Sequence, residues 1–292
     1  QGVAKVHHPL FIPFHAMQQA VHQRQAAGIG HQLDPDKGAV LLECLFGLAE
    51  VVEIVGLAFD VLVSGNQKTG GAGGRVLYDL AGLQVESAVY AGELIRQGAI
   101  GKVIQVLGMG PHRLNAPSRP AWFFEKEKYG GILCDIGSHQ IEQFLFYTGN
   151  SDATVVASQV RNVKHPQYPA FEDFGDAMLK GENGASGYFR CDWFTPDGLS
   201  TWGDGRLTLL GTEGYIEIRK YVDLTRGEQD VVYLVNNEGE FRYPVAGQVG
   251  FPFFGELILD CLHRTEHAMT QAHAFKAAEL CVKAQMLANA TA

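Results

Sequence analysis

Positive charge is scarce in this chain of 292 residues. Lysine and arginine together number 23 against 32 aspartates and glutamates, which gives a formal net charge of -9 at pH 7. Binding to nucleic acid or to an anionic membrane surface needs clustered basic side chains. We therefore expect no nucleic acid and no membrane among the partners of this protein.

Cysteine is also rare, and its five positions are odd in number and widely spaced. They are Cys44, Cys134, Cys191, Cys261 and Cys281. The sequence contains no C-x-x-C pair and no cysteine–histidine set with the spacing of a zinc site. We expect free thiols in a reducing, cytoplasmic environment, with no disulfide framework and no metal site.

An uncharged apolar segment of membrane-spanning length is missing as well. The longest apolar run covers residues 41–63 and contains Glu43, Glu50, Glu53 and Asp60. A charge at the centre of a bilayer costs a few kcal/mol, so this run is a poor membrane span. The first residues also lack the basic start and apolar core of a signal peptide, and we expect none.

The glycine fingerprint of a dinucleotide site, Gly-x-Gly-x-x-Gly between a strand and a helix, is not present. Two glycine clusters, 28–30 and 70–74, lack the third glycine, since Leu33 and Val76 stand at its position. We interpret the second cluster as a flexible linker. Cofactor-binding residues are therefore unknown at this stage.

The most informative stretch is 130–140, which reads Gly-Gly-Ile-Leu-Cys-Asp-Ile-Gly-Ser-His-Gln. Asp135 and His139 are four residues apart, which would place them on one face of a helix, one turn from each other. A carboxylate beside an imidazole fixes its tautomer and raises its pKa, an arrangement suited to general acid–base catalysis. The alternative is a surface pair that adds a little to helix stability.

The pattern from residue 85 onward predicts an α/β fold class, as an α+β domain with a large open, mainly antiparallel sheet flanked by helices. The predicted strands are 103–109, 153–162, 173–180, 186–192, two within 204–219, 231–235 and 240–244. The predicted helices, besides the one with His139, are 85–97, 253–264 and 274–288, the last capped by Thr270. One sheet face should be covered by helices, and the other must be solvated or meet a partner.

From about residue 85 the sequence resembles the Gfo/Idh/MocA family of NAD(P)-dependent sugar and cyclitol oxidoreductases. The stretches 90–104, 130–139 and 210–218 carry the resemblance. It implies that Asp135 and His139 line the substrate site and that His139 is the catalytic proton-transfer residue. It also implies NAD or NADP as cofactor, a polyol or sugar as substrate, and a homodimer or homotetramer formed through the open sheet face.

Four further residues are candidate substrate contacts. Arg113 lies after a predicted strand, near a position where the family supplies such contacts, and Trp122 offers a flat apolar surface for a sugar ring. Asp173 and Arg206 carry groups that match sugar hydroxyls. The alternative for each is structural, as a packed indole or a solvated charge.

Residues 1–84 do not match the family, whose first domain is a Rossmann unit that also carries a Glu-Lys-Pro motif. We treat 1–84 as an atypical or remnant region and 85–292 as the substrate-binding and oligomerisation domain. Three explanations are open for this region: truncation, divergence, or translation in a wrong frame. Its few lysines (Lys5, Lys37 and Lys68) favour the last. We expect hydride transfer at a sugar or cyclitol carbon, weakened in the chain as written; the alternative is a non-catalytic polyol-binding or dimerisation module.

Overall fold

The structure is a computed structural model, and it describes residues 85–227 and 229–291. The glycine clusters, the apolar run 41–63 and the interpretation of residues 1–84 lie outside the described residues. The division of the chain near residue 84 therefore stays a prediction.

Eight strands form one open sheet, in the order β2-β3-β4-β1-β5-β6-β7-β8. Their bounds are β1 Val103–Pro111, β2 Ala153–Arg161, β3 Phe174–Gly181, β4 Ser186–Asp192, β5 Arg206–Gly211, β6 Gly214–Arg219, β7 Val231–Asn236 and β8 Gly239–Pro244. Neighbouring strands are antiparallel except β1 and β4, which are parallel. The predicted large, mainly antiparallel sheet flanked by helices is confirmed.

Six α-helices accompany the sheet in the described ranges. They are α1 Glu86–Arg96, α2 Lys126–Tyr129, α3 Ile132–Asp135, α4 Gly137–Thr148, α5 Pro252–His263 and α6 Gln271–Thr291. Two short 3-10 helices, Ala116–Ser118 and Ala121–Phe124, lie between β1 and α2. Thr270 caps α6 as predicted, since its hydroxyl oxygen accepts a hydrogen bond from the backbone N–H of His273 at 3.1 Å.

Helix α4 covers one face of the sheet, across β1 and β4. It approaches closely because β1 has glycines beneath it: a Cβ added at Gly108 would lie 2.1 Å from Oε1 of Gln140. Apolar residues of α4, such as Ile141 and Phe144, are buried against this face together with Phe189 of β4. Helix α6 packs against α4 and β2, so the core lies between the helices and one sheet face.

The opposite face of the sheet presents large apolar side chains to solvent. Neighbouring strands contribute Leu107, Met178, Tyr188, Leu210 and Tyr215, each of which is 39–47% exposed. Leu107 pairs with Tyr188, which also pairs with Met178, and Leu210 pairs with Tyr215. We call these five residues the open-face patch.

None of the helices within the described ranges has the length and apolar character that a membrane span requires. In the same ranges no group of three or more histidine, cysteine or acidic side chains is arranged to hold a metal ion.

Candidate active site

The candidate site lies where the two parallel strands end. Because β1 and β4 are parallel, their carboxyl ends meet at the same edge of the sheet. The chain continues the pairing beyond both strands: the N–H of His112 donates to Asp192 O at 2.8 Å, and the N–H of Thr195 donates to His112 O at 3.1 Å. His112 therefore lies beside the segment that carries Trp193 and Thr195.

The residues just before this segment lie on the helix-covered face of the sheet. Gly110 and Cys191, two residues before His112 and Trp193, are buried on that side, where a Cβ at Gly110 would lie 3.1 Å from Ile136. Alternation along an extended chain then places His112 and Trp193 on the same face. Their rings are in edge contact, with centroids 5.4 Å apart.

Aromatic rings also connect the site to solvent. The His112 ring lies edge-on to Trp202, with centroids 4.2 Å apart, and Trp202 contacts Tyr221 at 4.9 Å. Trp202 is 43% exposed, whereas Trp193 is buried. The chain of ring contacts thus runs from the buried Trp193 through His112 to the exposed Trp202.

His139 lies near His112, in the first turn of α4. Burial lowers the pKa of His139 to about 4, and the positive charge of Lys220 contributes. Burial also lowers the pKa of His112 to about 3, with the neighbouring His139 as the next cause. Both imidazoles are therefore neutral at pH 7 and able to accept a proton.

Lys220, which directly follows β6, is the third titratable group of the site. Its side chain is buried, and its Nζ donates a hydrogen bond to Oε1 of Gln143 at 2.9 Å. Burial lowers the pKa of Lys220 to about 8, while the carboxylates of Glu142 and Asp230 oppose this shift. Sequence reasoning missed this residue, because a lysine after a strand has the pattern of a solvated strand end.

Asp135 and His139 are not on one uninterrupted helix. Asp135 is the last residue of α3 and His139 belongs to α4, with Ile136 between the two helices. The Ser138 hydroxyl donates to the Asp135 carbonyl at 2.8 Å at this junction. The expected rise in the pKa of His139 is wrong in direction, because burial and Lys220 outweigh any carboxylate.

Asp135 acts on a different neighbour, Arg119. Burial lowers the pKa of Arg119, and the negative charge of Asp135 partly offsets this. Arg119 in turn contributes to the lowered pKa of His112. Asp135 thus acts on Arg119, and Arg119 acts on His112, which neighbours His139. Arg119 is a second residue that sequence reasoning missed.

Two of the predicted substrate contacts lie next to this site. The guanidinium of Arg113 donates to the carbonyl oxygens of Pro196, Leu199 and Thr201 at 2.6–3.0 Å, so it holds the loop that leads to Trp202. The indole of Trp122 is half-buried and contacts Phe123.

The other two lie elsewhere. The Asp173 carboxylate is fully buried and accepts hydrogen bonds from the N–H groups of Val163 and Lys164 and from the His165 ring, so it shapes its own loop. Arg206 pairs with Asp204 and lies on the open face, because its neighbour Leu207 is buried on the α4 side. The structure therefore does not bring Asp173 and Arg206 together with His139.

The glycine pair before α3 does not form a dinucleotide cradle. The glycine pair Gly130–Gly131 precedes only the four-residue helix α3, and a Cβ at Gly131 would lie 2.3 Å from the Gln285 side chain. A phosphate group needs free backbone N–H groups at the start of a helix. Here the N–H groups of Ile132 and Leu133 donate to Glu172 and Gln285, so the position does not fit a pyrophosphate.

The described residues thus form an open, mainly antiparallel sheet with covering helices, and a cluster of neutral bases lies at its carboxyl edge. Residues 89–217 match the family model of the GFO/IDH/MocA C-terminal domain. Residues 89–217 are thus a C-terminal domain of the Gfo/Idh/MocA family, and the resemblance of this part of the chain is confirmed. No functionally curated protein matches the sequence.

Solved structures agree with this family. A protein from Erwinia carotovora atroseptica SCRI1043, described as an oxidoreductase, is 64% identical with a TM-score of 0.70 over 73% of this chain and 63% of its own. An aldose-aldose oxidoreductase from Caulobacter crescentus, complexed with glycerol, is 18% identical with a TM-score of 0.58, over 73% of this chain and 61% of its own. A levoglucosan dehydrogenase, in complex with NADH and levoglucosan, is 16% identical with a TM-score of 0.51, over 74% of this chain and 63% of its own. The chain therefore spans less than two thirds of the length of these proteins.

Proposed function

We propose that the protein is an oxidoreductase of the Gfo/Idh/MocA type that acts on a hydroxyl-bearing carbon of a sugar or cyclitol. The observation that carries the proposal is the cluster of His112, His139 and Lys220 at the carboxyl edge of the sheet. The proposed substrate class and the NAD(P) cofactor follow the relatives, among which levoglucosan dehydrogenase is complexed with NADH and levoglucosan. Such a cofactor would exchange the hydride, and the described residues would move the proton.

His139 is the proposed proton acceptor. Because its pKa is lowered to about 4, its imidazole is unprotonated at neutral pH and is ready to take the proton of a substrate hydroxyl. Lys220, with a pKa of about 8, is a second group that exchanges protons near neutral pH. Asp135 is proposed as the orienting group, acting on this region through Arg119.

We further propose a homodimer or homotetramer built on the open-face patch. An exposed and contiguous apolar patch of this kind is typical of an association surface. The four described cysteines, Cys134, Cys191, Cys261 and Cys281, are free, which suits a reducing compartment such as the cytoplasm.

A second candidate is a non-catalytic polyol-binding or dimerisation module. It is favoured by one observation, namely that the glycine pair before α3 does not fit a pyrophosphate. The two candidates differ in one measurable property: an oxidoreductase is stabilised by NADH or NADPH, whereas the module is stabilised by a polyol alone.

The test uses the full chain with NAD⁺ or NADP⁺ and a panel of aldoses and cyclitols, followed at the absorbance of the reduced cofactor. We expect turnover that a His139→Gln variant loses and that a His263→Gln variant, changed at an exposed position of α5, retains. Full activity in His139→Gln would contradict the assigned role. Stabilisation by polyol without any stabilisation by NADH or NADPH would favour the module.

A further inference from the structure

Two buried polar atoms beside His112 have no hydrogen-bond partner within the described ranges. They are Nε1 of Trp193 and Oγ1 of Thr195, whose side chains belong to residues that are 5% and 9% exposed. Nearly all buried polar groups of native proteins are paired, so each exception requires an explanation. The backbone N–H of Thr195 donates to His112 O at 3.1 Å, and the Trp193 ring contacts the His112 ring, so both residues lie beside His112.

Arg119 brings a cation to the same place. Its guanidinium carbon lies 5.1 Å from the centre of the Trp193 ring and 4.6 Å from that of Phe123. Its Nε donates to Leu114 O at 3.0 Å, so the side chain is fixed at both its stem and its faces. No ion pair or other hydrogen bond of this guanidinium is found among the described residues, so its two terminal nitrogens are available as a fork of donors.

The donor set selects the kind of group that would bind. A guanidinium and an indole N–H only donate hydrogen bonds, and a hydroxyl such as that of Thr195 can also donate. A sugar hydroxyl both donates and accepts, whereas a carboxylate only accepts, so a set made mainly of donors matches a carboxylate better. A planar guanidinium also matches the two oxygens of a carboxylate and attracts them, in addition to the negative charge of Asp135 that already acts on Arg119.

We propose that Arg119, Trp193 and Thr195 form a carboxylate subsite next to His112, so that the substrate is a sugar acid, a polyol chain or ring that carries a carboxylate. This inference rests on the proposed function, because it places the substrate between the subsite and His139. It narrows the substrate from sugars and cyclitols in general to their acids. The two histidines would then face the hydroxyl carbons while Arg119 holds the acid end.

The experiment is isothermal titration calorimetry on the full chain without cofactor. The probes are two matched pairs, glucuronate with glucose and galacturonate with galactose. A charged hydrogen bond contributes about 1.5–3 kcal/mol, so we expect the acid of each pair to bind about tenfold to a hundredfold more tightly. Arg119→Met should abolish this preference, and Trp193→Phe and Thr195→Val should each reduce it.

Matched variants keep the test decisive. Arg161→Met is the control. Arg161 also lies over an aromatic ring, at 5.0 Å from the centre of Phe174, but it is the last residue of β2 and is not one of the proposed subsite residues. If Arg119→Met does not fold by circular dichroism, Arg119→Lys replaces it, and we expect a partial loss because the charge stays and the fork is lost. Three results would each overturn the subsite. They are equal binding of acid and neutral sugar, no binding of either acid by the folded wild type, and an acid preference that survives loss of the Arg119 guanidinium.

Turnover separates this inference from the proposed function. Oxidation of neutral sugars in preference to their acids would refute the subsite and leave the oxidoreductase assignment intact. Tight binding of the acids without any turnover in the presence of NAD⁺ or NADP⁺ would support the subsite and count against the oxidoreductase.

Discussion

The ammonium group of Lys220 donates a hydrogen bond to the side-chain amide of Gln143 at 2.9 Å, and Gln143 lies one helical turn after His139 on α4. Residues four apart on a helix share a face, so this bond holds a cation near the His139 imidazole. The pKa of His139 is lowered by burial and by this cation. Burial first, and then the neighbouring lysine, therefore keep this histidine neutral.

Removing the charge of Lys220 should raise the pKa of His139. We expect Lys220→Met to move this pKa upward from about 4, toward the usual 6.5, though not fully because burial remains. The pKa is measured by NMR titration of ¹³C-labelled histidine rings. Lys220→Arg keeps the charge and should leave the pKa low, and Lys180→Met, at an exposed position of β3, should change nothing. An unchanged pKa in Lys220→Met would show that the cation does not act on His139.

The two half-buried histidines of the site, His112 and His139, should make the fold sensitive to acid. The pKa of each is lowered from 6.5, to about 3 for His112 and about 4 for His139. Between pH 6.5 and these lowered pKa values, the unfolded chain binds protons that the folded chain does not bind. The free energy of unfolding therefore falls as the pH falls. The slope contributed by each histidine is at most about 1.4 kcal/mol per pH unit.

Urea unfolding at a series of pH values between 4 and 8 measures this effect. The variants His112→Gln and His139→Gln should each flatten the dependence below pH 6.5, whereas His263→Gln should not. An unchanged slope in both variants would show that other groups cause the acid sensitivity. Lys220 acts in the same direction at higher pH. Because its pKa is lowered to about 8, the free energy of unfolding should rise with pH between about 8 and 10.5.

The helices and strands were largely predictable from the sequence, because each depends on the pattern of residues that are close to one another in the chain. The predicted strand 186–192 has the observed bounds Ser186–Asp192, and 153–162 is Ala153–Arg161 within one residue. The parallel pairing of β1 with β4 was not predictable in this way, because it joins strands about 80 residues apart through contacts that no periodicity records. The candidate site lies at that pairing.

The same reason explains which site residues were missed. Asp135 and His139 lie four positions apart, so their spacing was visible in the sequence. Lys220, Arg119 and Trp193 reach the site from separate elements, and each alone has an ordinary structural interpretation. The sign of the His139 pKa shift also depends on Lys220, 81 positions away in the sequence, and local reasoning therefore predicted it wrongly.

Glu86 should be essential for the stability of the first helix. Its buried carboxylate accepts hydrogen bonds from the backbone N–H groups of Gly247, Val249 and Gly250, which ties α1 to the loop before α5. Glu86→Ala leaves these donors unpaired, so we expect a loss of about 2–4 kcal/mol in the free energy of unfolding. Glu86→Gln should lose less, and Glu127→Ala, at an exposed position of α2, should lose almost nothing. Urea unfolding of the three variants at pH 7 measures the differences, and equal stability of Glu86→Ala and wild type would contradict the bonding.

We predict a structural role for Asp173, in place of the substrate contact that was expected from the sequence. Its carboxylate accepts three hydrogen bonds from Val163, Lys164 and His165. We expect Asp173→Asn to lower the free energy of unfolding by about 1–3 kcal/mol and to leave the affinity for a polyol unchanged. Unfolding and calorimetric titration of the same preparation measure both quantities. Unchanged stability with weakened polyol binding would instead support a substrate contact.

The open-face patch leads to a prediction about assembly. Leu107 and Tyr188 are cross-strand neighbours at the middle of the sheet, and both are about two-fifths exposed on a face that no helix covers within the described ranges. A charge placed there would have to be buried without a partner in any face-to-face contact, so Leu107→Glu should shift a dimer or tetramer to monomer. Sedimentation velocity measures the state, and Val163→Glu, at a loop position that is 61% exposed, is the control. If Leu107→Glu assembles like wild type, the protomers associate through another surface, because an unpaired carboxylate at the centre of this one would oppose every face-to-face arrangement.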